Sequence, residues 1–143
     1  MITAINHTGL VVTDLQESIE FYRDILGLTV QGTFERDGSH ISQVVGYRDC
    51  HILAAHMGTG SGPTIELIQY INPPPEMRQS IERNVIGANH VAFNVDDAEK
   101  SLETLVKNGA KKLNSPTEVS PGRKVCYLQD PDDNWVELIE LSN

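Results

Sequence analysis

Asn6-His7-Thr8-Gly9-Leu10-Val11-Val12-Thr13-Asp14 is matched 83 residues later by Asn89-His90-Val91-Ala92-Phe93-Asn94-Val95-Asp96-Asp97. Each copy opens on Asn-His, runs through an apolar, strand-like segment and ends in side chains suited to capping a helix. Strand alternation puts His7, Gly9 and Val11 on one face and Thr8, Leu10 and Val12 on the other. Thr13 and Asp14 have Gln16 and Glu17 three residues further on, the spacing of a capping box. Leu15, Ile19, Tyr22 and Leu26 then make one helical stripe that stops at Gly27. After Asp96 and Asp97, the residues Ala98, Leu102, Leu105 and Val106 make another, stopping at Gly109.

Outward from these segments the pattern turns to strands. Around 29–36, 40–46, 50–57 and 63–71, strand-like pieces are separated by Asp37-Gly38, Gly46 and the run Gly58-Thr59-Gly60-Ser61-Gly62. Asn72-Pro73-Pro74-Pro75 stops the last of them, because proline has no N–H to give a ladder. A short polar helix or linker is expected over 76–86, then strands near 87–95, 110–114, 123–129 and 134–141. The expected fold is α+β, two tandem βαβββ modules whose curled sheets form a metal-containing cleft. It is read as a single domain, 1–143, with module one at 1–73, a linker at 74–86 and module two at 87–143.

A chain of 143 residues is one domain's worth, long enough to bury roughly 70% of its unfolded surface. A formal charge of −9 repels nucleic acid and anionic membranes at long range, so neither is expected as a partner. A small-molecule substrate is expected instead, and an anionic one could still respond to nearby Arg36, Arg48, Arg78, Arg83 and Arg123. No apolar stretch approaches the ~20 residues that span a bilayer. Met1-Ile2-Thr3-Ala4-Ile5 lacks the basic start of a signal peptide, and Cys50 and Cys126 form no C-x-x-C pair. Together these give a cytoplasmic expectation.

Both modules also close on a glutamate in an apolar run, Ile65-Glu66-Leu67-Ile68 and Val136-Glu137-Leu138-Ile139. Alternation puts Glu140 on the face opposite Glu137, so only one of the two is a site candidate. A lone histidine on an apolar strand is usually a packed residue, and a lone glutamate on an edge strand can stay wet. Four such residues at matched places in two repeats point elsewhere. His7, Glu66, His90 and Glu137 supply two imidazoles and two carboxylates, a set suited to one divalent metal ion per site: Zn, Ni, Co, Mn or Fe. Such a centre serves proton abstraction beside a carbonyl, with Glu137 or Glu66 as the base. Tyr127, Arg123 and His51 are the candidate substrate contacts. His51 and His56, five positions apart on one strand, fall on opposite faces and cannot share a site; His56 and His40 are taken as structural or substrate-adjacent.

These residues resemble the vicinal oxygen chelate superfamily of glyoxalase I, methylmalonyl-CoA epimerase, extradiol dioxygenases and bleomycin-resistance proteins. The resemblance runs from His7 and the segment Asp14-Leu15-Gln16-Glu17-Ser18-Ile19-Glu20-Phe21-Tyr22 through Asn89–Asp97 to Tyr127-Leu128-Gln129-Asp130-Pro131-Asp132-Asp133-Asn134-Trp135-Val136-Glu137. It implies paired βαβββ modules around a divalent metal, commonly in a homodimer, with His7, Glu66, His90 and Glu137 at the ligand places. It implies a lyase or isomerase of the glyoxalase or epimerase type. The alternatives are an Fe(II)-dependent ring-cleaving dioxygenase and a non-catalytic bleomycin-resistance-like binding protein. Glu118-Val119-Ser120 lacks the histidine that dioxygenases carry before their Tyr-x-x-Asp-Pro hairpin, and binders usually lack the ligands. Asp133 stands where that hairpin usually has glycine, and aspartate tolerates a left-handed turn.

Overall fold

The computed structural model describes residues 1–142; Asn143, the last residue of the expected second module, lies outside them. The chain divides into two compact units, one ending at Met77 and the other starting at Arg78. No helix among the described residues is long and apolar enough to cross a membrane.

Unit one starts with strand β1 (His7–Val11) and helix α1 (Leu15–Glu20), which continues as a π-helical segment over Phe21–Ile25. Asp14 caps α1 by accepting from the Glu17 N–H at 2.9 Å. Strand β2 (Thr29–Asp37), helix α2 (Gly38–Val45), β3 (His51–Gly58) and β4 (Thr64–Asn72) follow. The sheet order is β1-β4-β3-β2, with β1 parallel to β4 and the other neighbours antiparallel. Leu10, Ile65, Leu67 and Met57 alternate onto the same sheet face and are buried, as are Ile19, Phe21 and Tyr22 of the helical segment. Burying each such side chain contributes about 1.5–3 kcal/mol. Gln69 ties α1 to the sheet by accepting from the Leu15 N–H at 2.9 Å. The opposite face, bearing His7, Gly9, His56 and Glu66, is left for other work.

Residues 40–46 are not the strand their β-branched content suggested, because 38–45 form α2. Ile41, Val44 and Val45 are spaced i, i+3, i+4, which suits one side of a helix and not the alternation of a strand. Gly46, at φ 80, ends the helix in the left-handed region with its N–H on the Ser42 carbonyl. Without that strand, three strands follow α1, and unit one is βαβββ with a helix inserted between β2 and β3.

Unit two contains β5 (His90–Val95), α3 (Ala98–Lys107), β6 (Lys111–Lys112), β7 (Thr117–Ser120), β8 (Arg123–Gln129) and β9 (Trp135–Leu141). Its sheet order is β5-β9-β8-β6, with β7 also on β8, and β5 is again parallel to the strand that closes the module. Asp97 caps α3 by accepting from the Lys100 N–H at 2.9 Å. Buried Ala98, Leu102 and Leu105 of the helix and Cys126, Leu128, Val136 and Leu138 of the sheet make its core. Strand β7 falls within 114–123, a stretch expected to be loop. Residues 76–86 form turns and extended backbone, with no helix. Asp133 takes up the left-handed turn at φ 62. The two sheets and few helices make the fold α+β, as expected.

Candidate metal centre

In unit one, strand pairing builds a cluster around Glu66. Parallel pairing of β1 with β4 sets Gly9 against Glu66 and His7 against Thr64. Antiparallel pairing of β3 with β4 sets His56 directly opposite Glu66. The His7 Nε2 lies 3.3 Å from Glu66 Oε2, and the His56 Nε2 lies 3.2 Å from Glu66 Oε1. The two imidazole centroids are 5.5 Å apart, so the rings flank one carboxylate. Gly9 keeps the space over Glu66 clear: a Cβ there would sit 4.0 Å from Oε2, and a longer side chain would cover it. His7 Nδ1 is 2.7 Å from Asn6 Oδ1. The Asn6 oxygen can only accept, so this contact favours the tautomer with its proton on Nδ1, which leaves Nε2 as the ligand atom.

Unit two repeats the register. Ala92 is set against Glu137, His90 against Trp135, and Tyr127 of β8 directly opposite Glu137. His90 Nε2 is 3.1 Å from Glu137 Oε2, and the His90 and Tyr127 rings meet edge to face at 5.4 Å. Tyr127 hydrogen-bonds Glu137; burial first, then the negative charge of Glu137, raises its hydroxyl pKa above that of an ordinary tyrosine. The Arg83 guanidinium lies over the rings of Trp135, 4.8 Å from its centroid, and Tyr127, at 5.5 Å. Trp135 Nε1–H donates to the Ile81 carbonyl at 2.7 Å, so the segment before β5 is strapped onto this face of the sheet.

The expected residues therefore separate into two groups. His7 meets Glu66, and His90 meets Glu137 and Tyr127. Arg123 begins β8 on the Tyr127 face, near enough for its charge to act on that hydroxyl. His51 is not brought to this group: its Nε2 is 2.6 Å from Glu35 Oε1, and Glu35 alternates onto the sheet face opposite Phe34, which touches His56. Glu140 points to the helix side, where it accepts from the Ala98 N–H at 2.8 Å. With Asp97 and Glu99 it forms an acidic group already used for helix capping and for pairing Lys124.

Sequence inspection missed His56 as a partner of Glu66. The signal was present, because the two lie five residues either side of Ser61 in a glycine-rich hairpin. Arg83, counted only as a nearby cation, proves to stack on two aromatic rings of the second group.

Each unit supplies one histidine nitrogen and one carboxylate oxygen, donor types that a divalent ion takes and two of the four ligands expected for it. The side chains of Glu66 and Glu137 are only 17% and 12% exposed, and among the described residues their ion-pair partners are histidines rather than lysine or arginine. A carboxylate so far withdrawn from water calls for a compensating charge. In unit one His7 Nε2 and Glu66 Oε2, 3.3 Å apart, are two donor atoms that one cation could contact together. The Asn6 contact is the kind of outer partner that fixes the tautomer of a ligating histidine.

Two units, each with a first strand that carries a histidine and runs parallel to a closing strand that carries a glutamate, define the class. The chain belongs to the Glyoxalase/Bleomycin resistance protein/Dioxygenase superfamily, whose model matches residues 4–138. It is 31% identical to a lactoylglutathione lyase of Salmonella typhimurium, over 96% of this chain and 92% of that protein. It is 26% identical to a 2-epi-5-epi-valiolone epimerase of an Actinomyces species, over 96% of this chain and 79% of that one. Its fold matches a glyoxalase family protein of Bacillus cereus at a TM-score of 0.92, covering 100% and 97% of the two chains at 22% identity.

Proposed function

We propose that this chain is a divalent-metal lyase or isomerase acting on a small carbonyl, hemithioacetal or thioester substrate through an enediolate. His7, Glu66, His90 and Glu137 are the proposed ligands of a divalent metal, Zn, Ni, Co, Mn or Fe. The observation that carries this is the repeated register: in each sheet a histidine two residues ahead of the glutamate's strand partner reaches the glutamate's Oε2. Family membership and the lyase and epimerase relatives support the reaction class.

A bound divalent ion supplies Lewis acidity, polarising a substrate carbonyl and favouring the charge of an enediolate. The chain's own residues do the rest. Asn6 holds the His7 ring through Nδ1, with Nε2 facing Glu66. Glu137 or Glu66 takes the proton from the carbon beside the carbonyl and returns it to the neighbouring atom. The Tyr127 hydroxyl, kept protonated by its surroundings, can donate to Glu137 or to a substrate oxygen. Arg123 offers a positive charge on the same face for an anionic part of the substrate. A cytoplasmic homodimer is the proposed setting.

The test is turnover of hemithioacetals and acyl-CoA epimers by protein loaded in turn with Ni, Co, Zn and Mn. His90→Ala should lose metal and turnover together. Turnover that persists in metal-free protein would overturn the mechanism, and oxygen consumption with catechols would move the chain to the dioxygenase branch.

A further inference from the structure

Equivalent register positions in the two units carry different residues. Tyr127 stands opposite Glu137 on one neighbouring strand, and His56 stands opposite Glu66 on the other. Each also packs its ring against the histidine of the first strand, at 5.4 Å in unit two and 5.5 Å in unit one. Tyr127 hydrogen-bonds its glutamate, and the His56 Nε2 is in hydrogen-bond geometry with Glu66 Oε1 at 3.2 Å.

We propose that His56 is a positioning residue for Glu66, holding Oε1 so that Oε2 is turned towards His7 and the metal. This rests on the metal reading above. An ionised carboxylate can only accept, so the His56 nitrogen at that contact carries its proton and has no lone pair for a metal. His7 differs in having a second acceptor, the Asn6 side-chain oxygen, 2.7 Å from its Nδ1, so its Nε2 is the nitrogen that faces Glu66 and a metal. The two imidazoles on Glu66 therefore divide the work, one as ligand and one as donor. Phe34, edge on to His56 at 5.4 Å, limits the ring's freedom to turn away. Glu66 is thereby held to a single ligating oxygen. A carboxylate free to rotate would present either oxygen or both, and outer partners of this kind typically contribute about 10–100-fold to metal affinity.

The test uses the full-length protein, stripped of metal and titrated with Co(II), reading the dissociation constant and the visible ligand-field spectrum. Circular dichroism and thermal unfolding monitor the fold. His56→Leu should weaken Co(II) binding about 10–100-fold with the same coordination number. His56→Gln, whose amide nitrogen reaches about as far as Nε2, should return the affinity to within about 3-fold of the parent. His56→Asn, polar but too short to reach, should behave as His56→Leu does and stands in for it should leucine prevent folding. In a Glu66→Ala background the His56 changes should have less than about a 2-fold effect, since the role acts through Glu66. Parent-like affinity and spectrum in His56→Leu and His56→Asn would overturn the proposal. So would an equal loss in His56→Gln with a spectrum showing one fewer nitrogen ligand, which would make His56 itself a ligand. No Co(II) uptake by the parent protein would overturn the metal reading, and this inference with it.

Discussion

The two units share a plan and differ in how each holds its carboxylate. In unit one, Glu66 lies between two imidazoles, beside the open space left by Gly9. In unit two, Glu137 lies beside one imidazole and a tyrosine, under a strap whose Arg83 stacks on Tyr127 and Trp135. The backbone register around each glutamate is the same, so the contrast comes from the side chains opposite it and from the strap. It teaches that the duplicated framework fixes where a histidine and a glutamate meet, while the third position decides how the glutamate behaves. A hydroxyl that gives Glu137 a proton-bearing neighbour suits a base that must exchange protons. An imidazole donor that pins Glu66 suits a ligand that must stay still.

The largest effect should separate those two roles. Glu137→Gln should lower kcat by about 10²–10⁴ while metal binding weakens less than in Glu66→Gln. Turnover numbers and metal affinities measured side by side decide it, and the opposite ranking would assign the base to Glu66. A smaller effect tests the shared register. Gly9→Val should weaken metal binding about 10-fold by placing methyl groups over the Glu66 carboxylate. Ala92→Gly, at the matching place opposite Glu137, should change it less than about 2-fold, because it opens space that is not needed. Equal effects at both positions, read by metal titration, would break the equivalence.

The back of the second sheet carries a pH dependence of its own. Cys126 is fully buried beneath α3, and burial pushes its thiol up to about 11. The folded chain then holds a proton that the unfolded chain, titrating near 9.0, gives up. This contribution to stability is intact below pH 9 and is lost as pH rises from 9 towards 11, with a limit of about 2–3 kcal/mol. Denaturant unfolding across that range should show the loss, and Cys126→Ala should flatten it. The smallest effect belongs to His51. Its pair with exposed Glu35 is a surface contact, so His51→Ala should cost under about 1 kcal/mol by thermal unfolding and leave metal affinity unchanged.

Much of this plan was legible in the chain itself. Asp14 and Asp97 cap their helices as their spacing required, because capping is a local hydrogen bond written within four residues. Glu140 turned from Glu137 because strand alternation is strict over so short a distance. Helix α2 escaped notice because none of its side chains is buried to mark one face, and Ile41, Val44 and Val45 are residues that strands favour. The role of His56 was hidden because a residue's cross-strand neighbour depends on hairpin register as well as on its own sequence. His51 is among the expected substrate contacts, but the β3 backbone carries it to the side of Glu35.

Metal content per chain tests the central claim most directly. Protein purified without chelator or affinity-tag nickel would be analysed for metal alongside His7→Ala and His90→Ala. One equivalent of a divalent metal in the parent, lost from both variants, is the predicted result, because both histidines are proposed ligands. No metal in the parent, or a variant that keeps its full equivalent after losing either histidine, would contradict the account.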